Sequence, residues 1–334
     1  MTTMRDVAER AGVSLTTVSH VINRTRFVSD DVTTRVQQAM EDLNYRPNEL
    51  ARSLRRGQTK TLGLILPDSA NPYFAEIGHA IEATSSTLGY NVILCNTHGA
   101  EDQEEHYINV LRNKQVDGII FVATGDKASS ISDTLGENFP ILLVDRELVG
   151  VHTDVIIVDN HQGGLLATRH LLELGHRRVA CISGPSTVRP SAERISGYIQ
   201  ALEEYGLAFD SNLFRTGDFH PNSGYLAALD LLQQPDPPTA IFTCNDLMAI
   251  GVIRAASETG CSIPADLALV GFDNIELAEY TIPPLTTISQ PIEWMGEIAA
   301  KKLIQRIEEE DTMEPTRQLL PVELVVRGSS GAKK

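Results

Sequence analysis

Short apolar runs alternate with amphipathic helical segments from residue 61 onward, and this alternation constrains the fold more than any other feature of the sequence. Most runs precede a helical pattern of ten or more residues, which is typical of parallel sheets with helices on both faces. The eight runs span 62–66, 92–95, 118–122, 141–144, 155–158, 179–182, 240–243 and 267–270. Two such series predict an α/β fold with two doubly wound, parallel-sheet lobes.

The first 47 residues have a different pattern, that of three short helices around one small core. The predicted N-cap residues of these helices are Thr3, Ser14 and Ser29. Gly12 ends the first helix because glycine readily adopts the positive φ of a sharp turn. The apolar positions of the second helix repeat at i, i+3 and i+4, a spacing that directs them toward the first helix: Val18, Val21 and Ile22.

The second helix then presents a polar face to solvent. Helix, tight turn and helix is the arrangement of a helix-turn-helix, in which short polar side chains contact base edges in the major groove. The predicted DNA contacts are Thr16, Thr17, Ser19, His20, Asn23 and Arg26. A surface helix rich in serine and threonine is the alternative, but the turn glycine, the third helix and the nearby Arg24 favour DNA.

Charge is distributed unevenly along the chain, whose formal net charge is -16. Residues 1–60 carry 10 Lys and Arg against 7 Asp and Glu, whereas the remainder carries 18 against 37. Because exposed charges are screened beyond about 8 Å, a locally basic head can bind nucleic acid despite an acidic body.

Several classes of protein are excluded by missing signals. The sequence has no run that could span a bilayer and no apolar leader, so we expect a cytoplasmic protein without a membrane partner. No dinucleotide, P-loop, zinc-protease or nucleophile-elbow motif occurs, so we expect no catalytic residue, no cofactor and no metal. The four cysteines lack metal or redox spacing.

The segments "RDVAERAGVSLTTVSHVINRTRFVS" and "LNYRPNELARSLRRG" resemble the head and hinge of the lactose-repressor family, most closely its ribose-repressor and purine-repressor branches. The resemblance implies a helix-turn-helix head over 1–47, a hinge helix and linker over 48–60, and an effector-binding and dimerisation domain over 61–334. It implies that one lobe comprises about residues 61–160 and 292–320, and that the other comprises residues 161–291 and 321–330. It also implies a homodimer on a pseudo-palindromic operator, with hinge contacts from Ala51, Arg52, Leu54 and Arg55, Leu54 being the minor-groove wedge.

Polar and aromatic residues collect where the predicted strands end, and ligands of doubly wound folds bind beyond the carboxyl ends of strands. Carboxylates, guanidinium groups and amides pair with sugar hydroxyls, while aromatic rings cover the C–H faces. The resemblance to ribose repressors assigns the effector contacts to Asn71, Tyr73, Phe74, Asp145, Arg146, Arg194, Phe219, Asn245, Asp273 and Gln290. With arginines nearby, we expect Asp145 and Asp273 to be ionised acceptors, and we expect Asp246 to support the site.

The sequence therefore predicts a DNA-binding transcriptional repressor, not an enzyme, controlled by a small sugar, with D-ribose as first choice. The alternatives are a global catabolite regulator controlled by a phosphorylated partner protein, or a regulator with a purine corepressor. Arg146 stands where the purine branch has an indole ring, which argues for a sugar. The resemblance to ribose repressors implies that the sugar releases the protein from DNA, whereas the sequence alone would equally permit a corepressor. Candidate dimer surfaces are the helix faces with Ile77, Ala80, Ile81 and Thr84, and residues 247–253, and a place in the core is the alternative for both.

Overall fold

A computed structural model describes residues 2–23, 25–46, 58–125, 139–148, 150–309 and 314–331. The chain divides into two compact units, Met1–Lys60 and Thr61–Lys334. None of the helices in the described ranges has the length and apolar character needed to cross a membrane.

The described residues of the first unit form three helices, α1 (Met4–Ala11), α2 (Leu15–Asn23) and α3 (Asp30–Asp42). Thr3 and Asp6 form a reciprocal capping box at the start of α1, and Gly12 ends this helix with φ of 66°. Ser14 Oγ accepts a hydrogen bond from the Thr17 amide, as expected of an N-cap. Ser29 takes the N-cap position of α3, but its side chain accepts no capping hydrogen bond, so this part of the prediction is wrong.

One apolar core joins the three helices of this unit. Its buried members are Val7, Ala8, Ala11, Val18, Val36 and Ala39. Val21, Ile22 and Tyr45 are partly buried against it. The predicted inward face of the second helix is therefore observed.

The second unit contains two six-stranded sheets, and the predicted fold class is confirmed. The first sheet has the strand order β11-β5-β4-β3-β1-β2 and is parallel throughout. Its strands are β1 (Thr61–Leu66), β2 (Asn91–Asn96), β3 (Gly118–Phe121), β4 (Ile141–Val144), β5 (Asp154–Val158) and β11 (Arg317–Leu320). In the described part of its connections, the helices are α4 (Pro72–Thr87) and α5 (Glu101–Asn113).

The second sheet repeats this order as β12-β10-β9-β8-β6-β7, with an antiparallel edge strand β12. Its strands are β6 (Val179–Ser183), β7 (Phe214–Thr216), β8 (Ala240–Thr243), β9 (Ala268–Asp273), β10 (Thr286–Ser289) and β12 (Glu323–Val325). Its helices are α6 (Asn160–Glu173), α7 (Arg189–Glu204), α8 (Pro221–Leu232), α9 (Asp246–Thr259) and α10 (Leu277–Tyr280), with a 3-10 turn at Ser211–Leu213. Because strand order is repeated, strand ends of the two lobes correspond in pairs.

The chain crosses between the lobes three times: after β5, after β10 and between β11 and β12. Helix α11 (Ile292–Glu308) follows the second crossing and packs on α4, where Gly296 lies against Ala80. Ile77 and Ile81 are fully buried in the core of the first lobe. These two residues therefore belong to the core and not to the dimer surface that the sequence suggested.

Candidate functional site

A cleft between the two lobes contains an inner cavity of about 50 Å³. Nine of the ten predicted effector residues line it: Asn71, Tyr73, Phe74, Asp145, Arg146, Arg194, Phe219, Asn245 and Asp273. Gln290 does not line it but hydrogen-bonds to both Tyr73 and Asp273. An outer cavity of about 750 Å³ shares five residues with the inner one: Asn71, Phe74, Arg146, Val188 and Phe219. Residues distant in sequence thus converge from both lobes, as the strand-end rule predicts.

The first lobe fixes its polar residues through the backbone. Asn71 is the N-cap of α4, and its Oδ1 accepts the Tyr73 amide at 3.1 Å. Arg146 Nη1 donates to the carbonyl oxygens of Ala123 and Thr124 just beyond β3. The Thr124 amide in turn donates to the buried Glu104 carboxylate at 2.5 Å. Glu104, which the sequence did not single out, therefore supports the backbone that holds Arg146.

The second lobe holds Arg194 in a similarly rigid position. Its Nε donates to Asn160 Oδ1 at 2.8 Å, and Nη1 donates to the Cys244 carbonyl oxygen. Nη1 also lies 3.6 Å from Asp273 Oδ1, and the guanidinium stacks 3.6 Å above the Phe272 ring. A guanidinium that is held on several sides loses little conformational freedom when it binds a ligand.

Asn245 is engaged in maintaining the local structure. Its Oδ1 accepts the Met248 amide at the start of α9, and its Nδ2 donates to the Phe219 carbonyl oxygen. Phe219 has φ of 68°, and a side chain at Gly184 would collide with its ring. Asn245 and Gly184 therefore keep the Phe219 ring at the cavity wall.

A carboxyl end of one strand in each lobe carries a buried aspartate with positive φ. Asp145 follows β4 with φ of 70°, and Asp273 ends β9 with φ of 113°. A non-glycine residue with positive φ is uncommon, and such strain clusters at functional sites. Backbone strain at both corresponding strand ends supports a ligand-binding role for these carboxylates.

Burial raises the pKa values of two aspartates at or near the inner cavity, Asp273 and Asp246. Burial raises the pKa of Asp273 well above its ordinary value, and the nearby Arg194 offsets this only in part. Desolvation therefore opposes the ionised form of Asp273 that the sequence predicts. Asp246 is fully buried, and burial raises its pKa to about 7.

Asp246 supports the end of the second sheet beneath the cavity. Its Oδ1 accepts the Thr287 hydroxyl at 2.6 Å, and its Oδ2 accepts the Ile275 amide at 3.0 Å. Gly271 is required beside it, because a Cβ there would lie 2.1 Å from Asp246 Oδ1. Asp246 thus fixes the turn that follows Asp273.

Unused hydrogen-bonding capacity faces the inner cavity. Arg146 Nε is buried and makes no hydrogen bond, although it lies 3.4 Å from Asp145 Oδ2. Within the described residues, no hydrogen bond is made by Asn71 Nδ2, Asp145 Oδ2 or Asp273 Oδ2. A buried polar group without a hydrogen bond is costly, so Arg146 Nε favours a ligand with an acceptor. The other three atoms can bind donors and acceptors of the same ligand.

Sequence reasoning missed some residues of the cleft. Val188 and Pro190 line the inner cavity, and His98, Glu101, Asp218 and His220 line the outer one. The latter four lie in or next to the segments that follow β2 and β7, so their proximity to strand ends was an available signal. Val188 and Pro190 carry no polar group that could have marked them.

The polar face of α2 is a separate candidate site, in the first unit. Thr16 and Arg26 are exposed. The other four predicted DNA contacts make intramolecular hydrogen bonds. Thr17 is hydrogen-bonded to Ser14, His20 to Thr25, and Asn23 to Ser19. The hinge candidates Ala51, Arg52, Leu54 and Arg55 lie outside the described residues.

Two family profiles match the chain. The one described as "Bacterial regulatory proteins, lacI family" matches residues 3–48. The one described as "Periplasmic binding proteins and sugar binding domain of LacI family" matches residues 59–327.

Relatives resemble the chain over nearly its whole length. The ribose operon repressor of Escherichia coli (strain K12) is 40% identical over 99% of this chain and 100% of its own. The HTH-type transcriptional repressor PurR of Aliivibrio salmonicida (strain LFI1238) is 41% identical over 92% of this chain and 93% of its own.

Solved structures agree in fold. The lac repressor dimer bound to operator and the anti-inducer ONPF has a TM-score of 0.88 at 30% identity, covering 99% of both chains. A LacI family transcriptional regulator from Enterococcus faecium with bound ribose has a TM-score of 0.75 at 32% identity, covering 82% of this chain and 100% of that one.

Proposed function

Because the chain belongs to the LacI family of bacterial regulatory proteins, with a DNA-binding head and a sugar-binding domain, we propose that it is a repressor that binds operator DNA. A small sugar releases it from the operator, and D-ribose is the first choice for this sugar. The family is one of transcriptional regulators, and the chain is not an enzyme. The proposal concerns the effector, the sign of its effect and the assembly on DNA.

One observation carries the effector proposal, namely the set of polar atoms around the inner cavity that make no hydrogen bond to the described residues, although Arg146 Nε and Asp145 Oδ2 form an ion pair at 3.4 Å. Arg146 Nε and Asn71 Nδ2 are donors, whereas Asp145 Oδ2 and Asp273 Oδ2 are acceptors or, when protonated, donors. A sugar hydroxyl both donates and accepts, so it satisfies either kind of group. The rings of Phe74 and Phe219 also line the cavity and suit the C–H faces of a sugar. Bound ribose in the Enterococcus faecium regulator and the ribose operon repressor relative support D-ribose.

The DNA-binding part of the proposal rests on the head. One helix-turn-helix contacts half of a two-fold symmetric operator, so we infer a homodimer on a pseudo-palindromic site. The lac repressor, which resembles the chain in fold, is described as a dimer bound to operator. Thr16 and Arg26 are our first candidates for direct contacts with the DNA, because both side chains are exposed. Leu54 is the proposed minor-groove wedge by the family resemblance.

A purine corepressor is the second candidate, favoured by the 41% identity to PurR. Tyr73, Phe74 and Phe219 offer aromatic surface for a base. Two carboxylates and two guanidinium groups around so small a cavity, however, fit a polyol better than a planar heterocycle.

Calorimetry on the full-length chain distinguishes these candidates. D-ribose, a purine base and a phosphorylated phosphocarrier protein are titrated separately. The proposal predicts saturable heat with D-ribose, and Arg146→Gln, which alters a cavity-lining donor, weakens it at least tenfold. Arg254→Gln, at an exposed ion pair with Glu258, is the matched control and leaves it unchanged. Heat with only the purine base or only the phosphocarrier contradicts the sugar proposal.

A further inference from the structure

The phenol of Tyr73 is already hydrogen-bonded inside the cleft, and it uses acceptors that a ligand would otherwise use. Its hydroxyl donates toward Asp145 Oδ1 at 2.7 Å and toward Gln290 Oε1 at 3.0 Å. Tyr73 is only 4% exposed, and burial raises the pKa of its phenol well above the ordinary value. The phenol therefore keeps its hydrogen and shares it between two acceptors.

The same phenol fixes residues of both lobes. Gln290 lies just beyond the end of β10, and its Nε2 donates to Asp273 Oδ1 at 2.8 Å. Asp145, Tyr73, Gln290 and Asp273 thus form one hydrogen-bonded chain behind the inner cavity. A ligand hydroxyl that reached Asp145 Oδ1 or Gln290 Oε1 would have to displace the phenol and break this chain.

We propose that Tyr73 is a specificity-determining residue, and that its phenol selects a pentose presenting a C–H group, and not a hydroxyl, to this edge of the cavity. The inference rests on the proposed function, because it assumes that a sugar occupies the cleft. A group that satisfies buried acceptors from within the protein rejects ligands that compete for them, which is discrimination against the wrong ligand.

The inner cavity has little room for a competing hydroxyl. Its volume is about 50 Å³, and Tyr73 and the edge-on Phe74 ring, with centroids 5.1 Å apart, form part of its wall. Replacing Tyr73 with phenylalanine removes one oxygen atom and leaves Asp145 Oδ1 and Gln290 Oε1 without this donor. A sugar hydroxyl then gains both the space and the acceptors, so the preference reverses.

The test compares wild type, Tyr73→Phe and Tyr198→Phe in the full-length protein. Tyr198 is the matched control, since it is a fully buried phenol that donates to the Val179 carbonyl oxygen away from the cavity. Calorimetry measures the dissociation constants of D-ribose and of its 2-, 3- and 4-epimers, D-arabinose, D-xylose and L-lyxose, for each protein. Thermal unfolding checks that both variants fold.

The inference predicts that wild type binds D-ribose more tightly than any of these epimers. Tyr73→Phe shifts the affinity ratio of one D-ribose–epimer pair toward that epimer by about tenfold or more, the size expected when one buried hydrogen bond is gained. Tyr198→Phe leaves every ratio within twofold.

Two results would overturn the inference while leaving the proposed function intact. One is a set of ratios unchanged by Tyr73→Phe although wild type binds D-ribose. The other is a loss of D-ribose affinity in Tyr73→Phe with no gain in affinity for any epimer, which would mean that the phenol binds a hydroxyl of D-ribose directly. Absence of heat with every pentose in wild type contradicts the proposed function and the inference together.

Discussion

Asp145 and Asp273 occupy corresponding positions in the two lobes, each at the carboxyl end of the fourth strand of its sheet and each with positive φ. Both are 4% exposed and face one inner cavity. The repeated strand order thus places two strained aspartates, one from each lobe, at the wall of one cavity. The predictions below test what this arrangement does.

Asp145→Asn removes the acceptor charge but preserves shape and tolerates positive φ. We expect D-ribose affinity to fall about tenfold or more, because hydrogen bonds to a charged acceptor are the stronger ones. Isothermal calorimetry measures this. Asp154→Asn is the control, a carboxylate equally buried but bonded to Arg306 and Thr316 outside the cavity. It should reduce the free energy of unfolding and leave D-ribose affinity within twofold, and the reverse pattern would contradict the assignment.

Asp246 makes stability depend on pH in a defined direction. Burial raises its pKa from 3.8 to about 7, so the folded protein retains a proton that the unfolded chain releases. Stability from this group is complete below about pH 3.8, is lost as pH rises to about 7, and changes no further above. The loss is at most about 4 kcal/mol, at about 1.4 kcal/mol per pKa unit.

The measurement is denaturant unfolding at several pH values, followed by fluorescence of Trp294, the single tryptophan of the chain. Trp294 lies in α11 and therefore reports on the second unit. Asp246→Asn should show a smaller decrease in stability between pH 4 and 7 than wild type. Parallel curves for the two proteins would show that Asp246 does not titrate in this range.

Glu104→Gln tests the support of Arg146. The variant weakens the acceptor for the Thr124 amide, and Thr124 holds Arg146, so we expect D-ribose affinity to fall about three- to tenfold. Calorimetry again provides the readout. Glu105→Gln, on the exposed face of the same helix, should have no effect. Equal affinities for the two variants would remove Glu104 from the site.

Gly164 controls how closely α7, which carries Arg194, approaches α6. A Cβ on Gly164 would lie 2.1 Å from the Arg194 carbonyl oxygen, so Gly164→Ala forces the helices apart. We expect a loss of about 1–3 kcal/mol in the free energy of unfolding, together with weaker D-ribose binding. Gly78→Ala is the control, because its nearest contact is the Leu66 side chain at 3.4 Å. A stable Gly164→Ala protein with unchanged affinity would contradict the packing argument.

Strand-end chemistry made much of the site predictable. Asp145 and Asp273 each follow an apolar run, and the carboxyl ends of parallel strands meet at one edge. The link from Tyr73 to Gln290 was not predictable, because it joins residues 217 positions apart through a side-chain rotamer. Glu104 was equally hidden, since a glutamate in the first turn of a helix is usually solvated and this one is buried by tertiary packing.

The pKa of Asp273 was a second property that the sequence could not predict. Neighbouring arginines suggested an ionised Asp273, but the degree of desolvation depends on how completely two lobes enclose the carboxyl group. The short strands β7, β10, β11 and β12 lie outside the eight predicted runs, because three or four residues give little periodic signal.

The central claim is that a sugar bound in the cleft lowers the affinity of the DNA-binding head for its operator. The most direct test measures operator affinity by fluorescence anisotropy with and without saturating D-ribose, using a palindromic DNA that the full-length protein selects from a random pool. We expect D-ribose to weaken operator binding roughly 5- to 150-fold, the usual range of coupling between two sites. Equal operator affinity with and without a sugar that calorimetry shows to bind would contradict the account.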